Sequence, residues 1–352
     1  MAAKPWDVII VGQGIAGTTL AWHLHDAGLR VHVIDSQDAI TSSKIAAGLI
    51  TPITGKRMAL TRNYDEFMRI ARAFYTSIET QTGETFFHDR TAIRLFRSHD
   101  ECRSWAERRL KPEFQIHLVD PQPEPLIPSD VGDSSAGGFA MHAAQLDVPA
   151  YLEASRKILS CEAMTIEWSK DVDFHEGGVT VGPHRTNYLI SCEGYAATRN
   201  PHFKWVPFIA AKGDILTIRL HKPIPSRSIH RGIWMAPTSD PEVFCVGSTY
   251  DWDNLDQVPN GSGRVEIEGR LREFLHTTYT VLDHMAAVRP IISESKALIG
   301  FHPQHERLGY FNGLGSKGSL NAPWYARAFT EHLVKGRPLA PEIDVQQHYV
   351  EQ

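Results

Sequence analysis

The residues best suited to chemistry lie near the two ends of this chain, in two glycine loops of the same spacing. The first is Gly12-Gln13-Gly14-Ile15-Ala16-Gly17, followed 23 residues after Gly12 by the acid Asp35. Glycines at this spacing allow a tight turn at Gly12, approach of a pyrophosphate to the backbone at Gly14, and close helix–strand packing at Gly17. Asp35 can accept from a ribose hydroxyl. The second loop is Gly313-Leu314-Gly315-Ser316-Lys317-Gly318. It carries a cation at the start of a helix and suits stabilisation of a negative charge that appears during a reaction.

These loops need elements to hold them. Val8-Ile9-Ile10-Val11 reads as a buried strand, Leu20, Ala21, Leu24 and Ala27 mark a helix, and Val31-His32-Val33-Ile34 is a second strand that delivers Asp35. Strand, glycine loop, helix, strand and acid form a complete dinucleotide-binding unit, with the helix N-terminus supplying free N–H groups. The second loop has only half of this context. A strand precedes it and a helix over 323–334 follows, but the tail Leu339-Ala340-Pro341-Glu342-Ile343-Asp344 is too poor to make a second strand and acid. It therefore reads as a charge-stabilising loop beside the first cofactor, where a reduced flavin needs positive potential, and the alternative is a plain loop with Lys317 in solvent.

Between them, Ser42-Ser43-Lys44-Ile45-Ala46-Ala47-Gly48-Leu49-Ile50 offers small side chains for a bulky planar ligand, or a serine cap on a short helix. Residues 64–82 read as an amphipathic helix with Phe67, Ile70, Ala71, Phe74 and Ile78 on one face. Strands are expected at 91–96, 139–146, 164–168, 179–181 and 188–192, and a helix at 149–159. Ile166 could cover an adenine or simply pack in the core, and Glu193-Gly194 makes a turn whose backbone faces the cofactor again. Alternating strands at 215–219, 233–235 and 243–246 are joined too tightly for crossover helices, so they are expected to be antiparallel. A further helix is expected over 265–282.

Composition sets limits on function. The 352 residues favour one large or two interleaved domains, with 42% hydrophobic and 22% charged residues as in ordinary globular proteins. No run approaches the roughly 18 apolar residues that span a bilayer, so no membrane insertion is expected. Four dispersed cysteines without a C-x-x-C motif suit a reducing cytoplasm. A net charge of −5 argues against a dominant nucleic-acid face. Among 18 histidines, the pairs His23/His25 and His302/His305 read as surface or packing residues, and no metal is expected. Asn260-Gly261-Ser262 matches a glycosylation acceptor but reads as a loop.

Taken together with Asp35-Ser36, Ala210-Ala211-Lys212-Gly213-Asp214, Val246-Gly247-Ser248-Thr249, Val288-Arg289-Pro290, Ile299-Gly300 and the second glycine loop, these motifs resemble the FAD-dependent amine and amino-acid oxidoreductases that include glycine oxidase, D-amino-acid oxidase and sarcosine oxidase. The resemblance runs over nearly the whole chain. It implies an α/β fold in which a Rossmann-like FAD-binding domain (1–88, 141–203 and 286–352) carries an inserted, mainly antiparallel-sheet substrate domain (89–140 and 204–285). It implies non-covalent FAD held by Gly12, Gly14, Ile15, Ala16, Gly17, Asp35, Ser36, Ser42, Ser43, Ala47, Gly48, Leu49, Ile166, Gly194, Leu314, Gly315, Ser316, Lys317, Gly318, Ser319 and Leu320.

By position, Arg289 matches the arginine that grips a substrate carboxylate, or is a structural arginine between domains. Trp234 matches an aromatic residue over the substrate, where glycine oxidase has tyrosine, or packs in the core. Ser316 stands where glycine oxidase has a further arginine, and Lys317 looks like the lysine near flavin N1 in sarcosine oxidase-like members. The implied activity is hydride transfer from the C–N bond of a small amino acid or secondary amine to flavin N5, with oxygen or another acceptor reoxidising the flavin. The Gly-Ser-Lys-Gly loop also resembles that of the flavin domain that removes a carboxymethyl group from a modified wobble uridine, so tRNA is a less favoured substrate that Lys56, Arg57 and Arg62 could meet. A flavoprotein that oxidises a hydroxy acid, or holds FAD structurally, is the third reading.

Overall fold

A computed structural model describes residues 4–292 and 296–349. The first strand, β1 (Trp6–Val11), is buried over its last four residues, as its β-branched Val8-Ile9-Ile10-Val11 run requires of a strand covered on both faces. It passes through Gly12 into α1 (Ile15–Asp26), and the chain returns as β2 (Val31–Asp35), parallel to β1. On the other side of β1 lies the parallel strand His184–Ser191, then Leu308–Asn312, also parallel, and Leu298–Phe301, antiparallel, at the edge. Cys161–Ala163 extends the sheet beyond β2. This is the expected nucleotide-binding sheet, assembled from distant pieces of chain.

The second sheet runs Tyr279–Arg289, Ala211–Leu220, Val243–Gly247, Ile233–Pro237, Ser228–Arg231, Phe87–Leu95, Gly138–Leu146 and Leu49–Ile50. All neighbours are antiparallel except Ser228–Arg231 with Phe87–Leu95, a parallel junction that the expectation of antiparallel pairing did not include. The expected α/β architecture with a mainly antiparallel second sheet is borne out. The two sheets share segments more closely than the expected residue limits: 141–146 and 286–289, assigned to the nucleotide half, run in the second sheet. So does Leu49–Ile50, through Leu49 opposite Gln145.

Helix α2 (Tyr64–Thr82) matches its expected span, buries Phe67, Ile70, Ala71, Phe74 and Ile78, and ends at Gly83 with φ +71°. The C-terminal helix Gly318–Lys335 begins five residues before position 323, at the last glycine of the second loop, and packs into the same core as α1 and α2.

Three local expectations fail. No helix follows Ser42-Ser43; residues 42–45 form a turn instead. The strand expected at 164–168 stops at Ala163 because its partner β2 ends at Asp35, whose carbonyl accepts from Met164 N–H at 3.0 Å. The helix expected over 265–282 spans Gly261–Arg272, capped by Asn260, whose side chain accepts from Gly263 N–H at 2.6 Å. Asn260 is thus a helix cap rather than a loop residue. The stretch beyond the helix becomes the strand Tyr279–Arg289, paired along Ala211–Leu220.

Candidate active site

One cavity of about 1770 Å³ runs between the two sheets, well above the roughly 300–1,000 Å³ of a site for one small molecule. Every residue expected to touch cofactor or substrate lines it except Gly17. A Cβ at Gly17 would sit 1.9 Å from the Gly12 carbonyl oxygen, so this glycine serves helix–strand packing. At Gly12, with φ +105°, a Cβ would lie 2.5 Å from the Cys192 carbonyl oxygen.

At the start of α1, Ile15 N–H donates to Ser43 Oγ at 3.1 Å, which brings the serine segment onto the helix N-terminus where an anion is favoured. Asp35 is partly engaged. Its carboxylate accepts from Gln13 N–H at 2.7 Å and from Gln37 N–H at 2.9 Å. A carboxylate has about four acceptor positions, so capacity for a ribose hydroxyl remains. Arg156, not anticipated from sequence, donates to the side-chain oxygens of Gln13 at 2.9 Å and Gln37 at 2.5 Å, tying both ends of this loop together.

Further along, Ile166 lines the wall from the irregular segment after Ala163. Gly194, at φ +58°, has open space around its Cα and its carbonyl accepts from Asn312 Nδ2 at 2.7 Å. Glu193 takes hydrogen bonds from Trp168 Nε1, Ser191 Oγ and Asn200 Nδ2 at 3.0, 2.6 and 2.9 Å, which fixes the turn.

The second glycine loop closes the cavity. Gly313 and Gly315 have φ +88° and +57°, conformations that glycine tolerates best. Lys317 is half-buried, not free in solvent. Its Nζ lies 3.4 Å from Thr61 Oγ1, and among the described residues no carboxylate pairs with it. Burial lowers its pKa from the ordinary lysine value.

The second sheet builds the wall beside this loop. Arg289 ends the strand Tyr279–Arg289, donates from Nη2 to Ser248 Oγ at 2.5 Å, and holds its guanidinium 4.5 Å from the Tyr250 ring centroid. Among the described residues no carboxylate lies within ion-pair distance of it, and burial lowers its pKa. Asp214 acts on it only through longer-range attraction, so the half-buried guanidinium keeps donor capacity for an anion in the cavity. Trp234 stands on Ile233–Pro237, separated from the Arg289 strand by two others, and packs against Gly247, where a Cβ would come 3.0 Å from its Cζ2. His230 also lines this wall, and burial with nearby Arg94 lowers its pKa to about 4, so its imidazole is neutral at physiological pH. Sequence reasoning missed Ser248, Tyr250 and His230 as lining residues, although the Val246-Gly247-Ser248-Thr249 motif pointed to their neighbourhood.

The profile of the family described as DAO, FAD dependent oxidoreductase, matches residues 7–332. The chain belongs to this FAD-dependent oxidoreductase family. Its fold is that of a glycine oxidase from Geobacillus kaustophilus, with a TM-score of 0.77 at 16% identity over 96% of each chain. It is similar also to an iminodiacetate oxidase from Chelativorans sp. BNC1, with a TM-score of 0.73 at 20% identity over 94% of this chain and 96% of the other. A stretch of 52 residues is 46% identical to the tRNA 5-methylaminomethyl-2-thiouridine biosynthesis bifunctional protein MnmC of Caulobacter vibrioides, covering 15% of this chain and 9% of that protein. The chain spans a third or less of the length of the curated relatives it matches.

FAD is the family's cofactor, and the cavity fits it. The glycine cradle at Gly12 and Gly17 leaves no room for side chains, the helix start is open to an anion, and Lys317 provides positive charge at the far loop. Among the described residues no helix is long and apolar enough to cross a membrane.

Proposed function

We propose that this flavoenzyme oxidises the C–N bond of a small amine that carries a carboxylate, an amino acid or an N-substituted glycine. The observation that carries this reading is Arg289: a half-buried guanidinium that lines the cavity and, among the described residues, has no carboxylate within ion-pair distance. A planar guanidinium gives a carboxylate two parallel donors and fixes both the position and the rotation of the substrate. Two fold relatives named for glycine and iminodiacetate support the choice, since iminodiacetate is itself an N-substituted glycine.

Gly12, Gly14, Ile15, Ala16, Asp35, Ser36, Ser42, Ser43, Ala47, Gly48, Leu49, Ile166 and Gly194 would hold the nucleotide and flavin, with residues 314–320 against the flavin ring. Bound FAD supplies a two-electron acceptor for the hydride that leaves the carbon beside nitrogen. Arg289 orients the substrate through its carboxylate while Ser248 Oγ fixes the guanidinium. Trp234 lines the pocket, and the more exposed Tyr250 ring lies against the guanidinium. Lys317 and the helix N-terminus after Gly315 favour the negative charge that the reaction creates. The product imine hydrolyses to a carbonyl compound and an amine. Comparing N-methylglycine with dimethylamine tests this reading. Turnover with the carboxylate compound alone supports it, and equal turnover of both refutes the role of Arg289.

A second reading, a carboxymethylamino group on tRNA as substrate, is favoured by one observation. Lys56 and Arg57 are exposed on the turn that begins at cavity residues Thr54 and Gly55. Salt-dependent retention on tRNA, followed by flavin reduction, would support it. Flavin reduction by free amino acids without tRNA retention would exclude it.

A further inference from the structure

Outside the flavin cavity, three potential metal ligands converge at the nucleotide-binding sheet. His32 lies on β2, Glu162 on the strand Cys161–Ala163, and His184 opens the strand His184–Ser191. Glu162 Oε2 is 3.2 Å from His32 Nε2 and 2.7 Å from His184 Nε2, and one ligand atom from each of the three lies within 4.8 Å of the others. None of the three lines the cofactor cavity. We propose that His32, Glu162 and His184 form a binding site for a divalent transition-metal ion, Zn²⁺ by its donor set, with water as the fourth ligand.

Metal–ligand bonds of about 2.0–2.2 Å in a tetrahedron separate neighbouring donor atoms by about 3.3 Å. The 3.2 Å distance is already near that value, the 2.7 Å distance must open by about 0.6 Å, and the remaining donor pair lies within 4.8 Å. Two imidazoles and one carboxylate suit zinc, since imidazole nitrogen is its commonest borderline ligand and the carboxylate supplies counter-charge.

The surroundings orient the donors before any ion arrives. His32 Nδ1 lies 2.9 Å from Ser160 Oγ, and the ring stacks on Trp6 with centroids 4.8 Å apart and planes at 11°. Arg30 in turn sits 5.0 Å from the Trp6 ring. A hydrogen bond to the far nitrogen and a packed ring are what hold a ligating histidine's tautomer and direction. Access is graded: the His32 side chain is 7% exposed, His184 22% and Glu162 39%, so the open coordination position faces solvent. Separations of 130 residues between His32 and Glu162 and 22 between Glu162 and His184 hide this set from any sequence spacing rule. A bound ion would clamp three strands of the sheet without touching the flavin.

The test uses the FAD-loaded enzyme, freed of metal by a chelator, then titrated with Zn²⁺ against a chromophoric competitor and with Co²⁺ as a spectroscopic substitute. The expected result is one equivalent of Zn²⁺ and strong visible tetrahedral Co²⁺ bands. Affinity should fall at least tenfold in both His184→Ala and Glu162→Gln, and about 10- to 100-fold in Ser160→Ala. Unchanged FAD content in all three variants shows that they fold. If the wild-type enzyme binds Zn²⁺ no more tightly than Glu162→Gln, or Co²⁺ keeps its weak hydrated spectrum, the three groups are a hydrogen-bonded triad and the site does not exist.

Discussion

The backbone N–H of Gly315 donates to the carbonyl oxygen of Pro290 at 3.3 Å, and the neighbouring Ile291 and Leu314 form a β-bridge. This contact joins the glycine loop that carries Lys317 to the residue after Arg289. The charge that would hold a substrate carboxylate and the charge that would face the flavin are therefore parts of one backbone unit, close enough to be set in register.

Arg289→Ala should keep FAD bound and raise KM for carboxylate amines. Truncating one partner of a buried charged hydrogen bond costs roughly 2–5 kcal/mol, so a loss of about 100-fold in kcat/KM is expected. Arg289→Lys should recover only part, because an ammonium cannot make the two-pronged contact. Steady-state kinetics with N-methylglycine measures both.

Gly213→Ala separates the position of the guanidinium from its presence. A Cβ at Gly213 would fall 2.0 Å from Arg289 Nη2, the mobile end of a side chain, so the fold can accept it while the guanidinium must move. Thermal stability should be close to wild type, and KM should rise at least tenfold. Unchanged kinetics would show that Arg289 does not orient the substrate.

Lys317→Met should lower the flavin reduction potential and reduce kcat about 100- to 1,000-fold, the usual range for losing a donor to developing charge. Potentiometric titration of the two proteins gives the answer. Equal potentials would place the Lys317 charge out of reach of the flavin.

Acid should weaken the fold in a defined window. His23, buried against Phe74, and His230 are each lowered from 6.5 to about 4. The unfolded chain takes up these protons below pH 6.5 while the folded protein refuses them until about pH 4. Stability is thus full above pH 6.5 and declines as pH falls through that interval, by up to about 3 kcal/mol for each group. His23→Phe should flatten the fall in Tm between pH 7 and pH 4.5. A slope equal to wild type would mean that His23 is not held neutral.

The legible parts of this chain are those that local rules constrain. Gly12 and Gly17 announce themselves because a side chain at either would strike backbone, and Gly14 completes their spacing. Phe67 to Ile78 announces α2 because one apolar stripe repeats with helical period. The misread parts depend on partners elsewhere in the fold. Alternation at Met164 to Trp168 looks like a strand, but β2 ends at Asp35 and the chain turns away at Gln37, φ +63°, which leaves it nothing to pair with. Residues 279–282 look like the end of a helix and become strand because Ala211–Leu220 offers a ladder. Arg156 gives no local sign of its role, since the Gln13 and Gln37 side chains it bridges are more than a hundred residues away. Tyr250 is brought under Arg289 by pairing of strands whose register the sequence does not declare.

Anaerobic mixing of the FAD-loaded enzyme with small amines, followed by its visible spectrum, reads out whether a carboxylate-bearing amine is the electron donor. The expected result is rapid bleaching of the flavin band by at least one carboxylate-bearing amine, no bleaching by the matching amine without a carboxylate or by 2-hydroxy acids, and a greatly weakened response in Arg289→Ala. Bleaching by 2-hydroxy acids alone, or an equal response in Arg289→Ala, would contradict it.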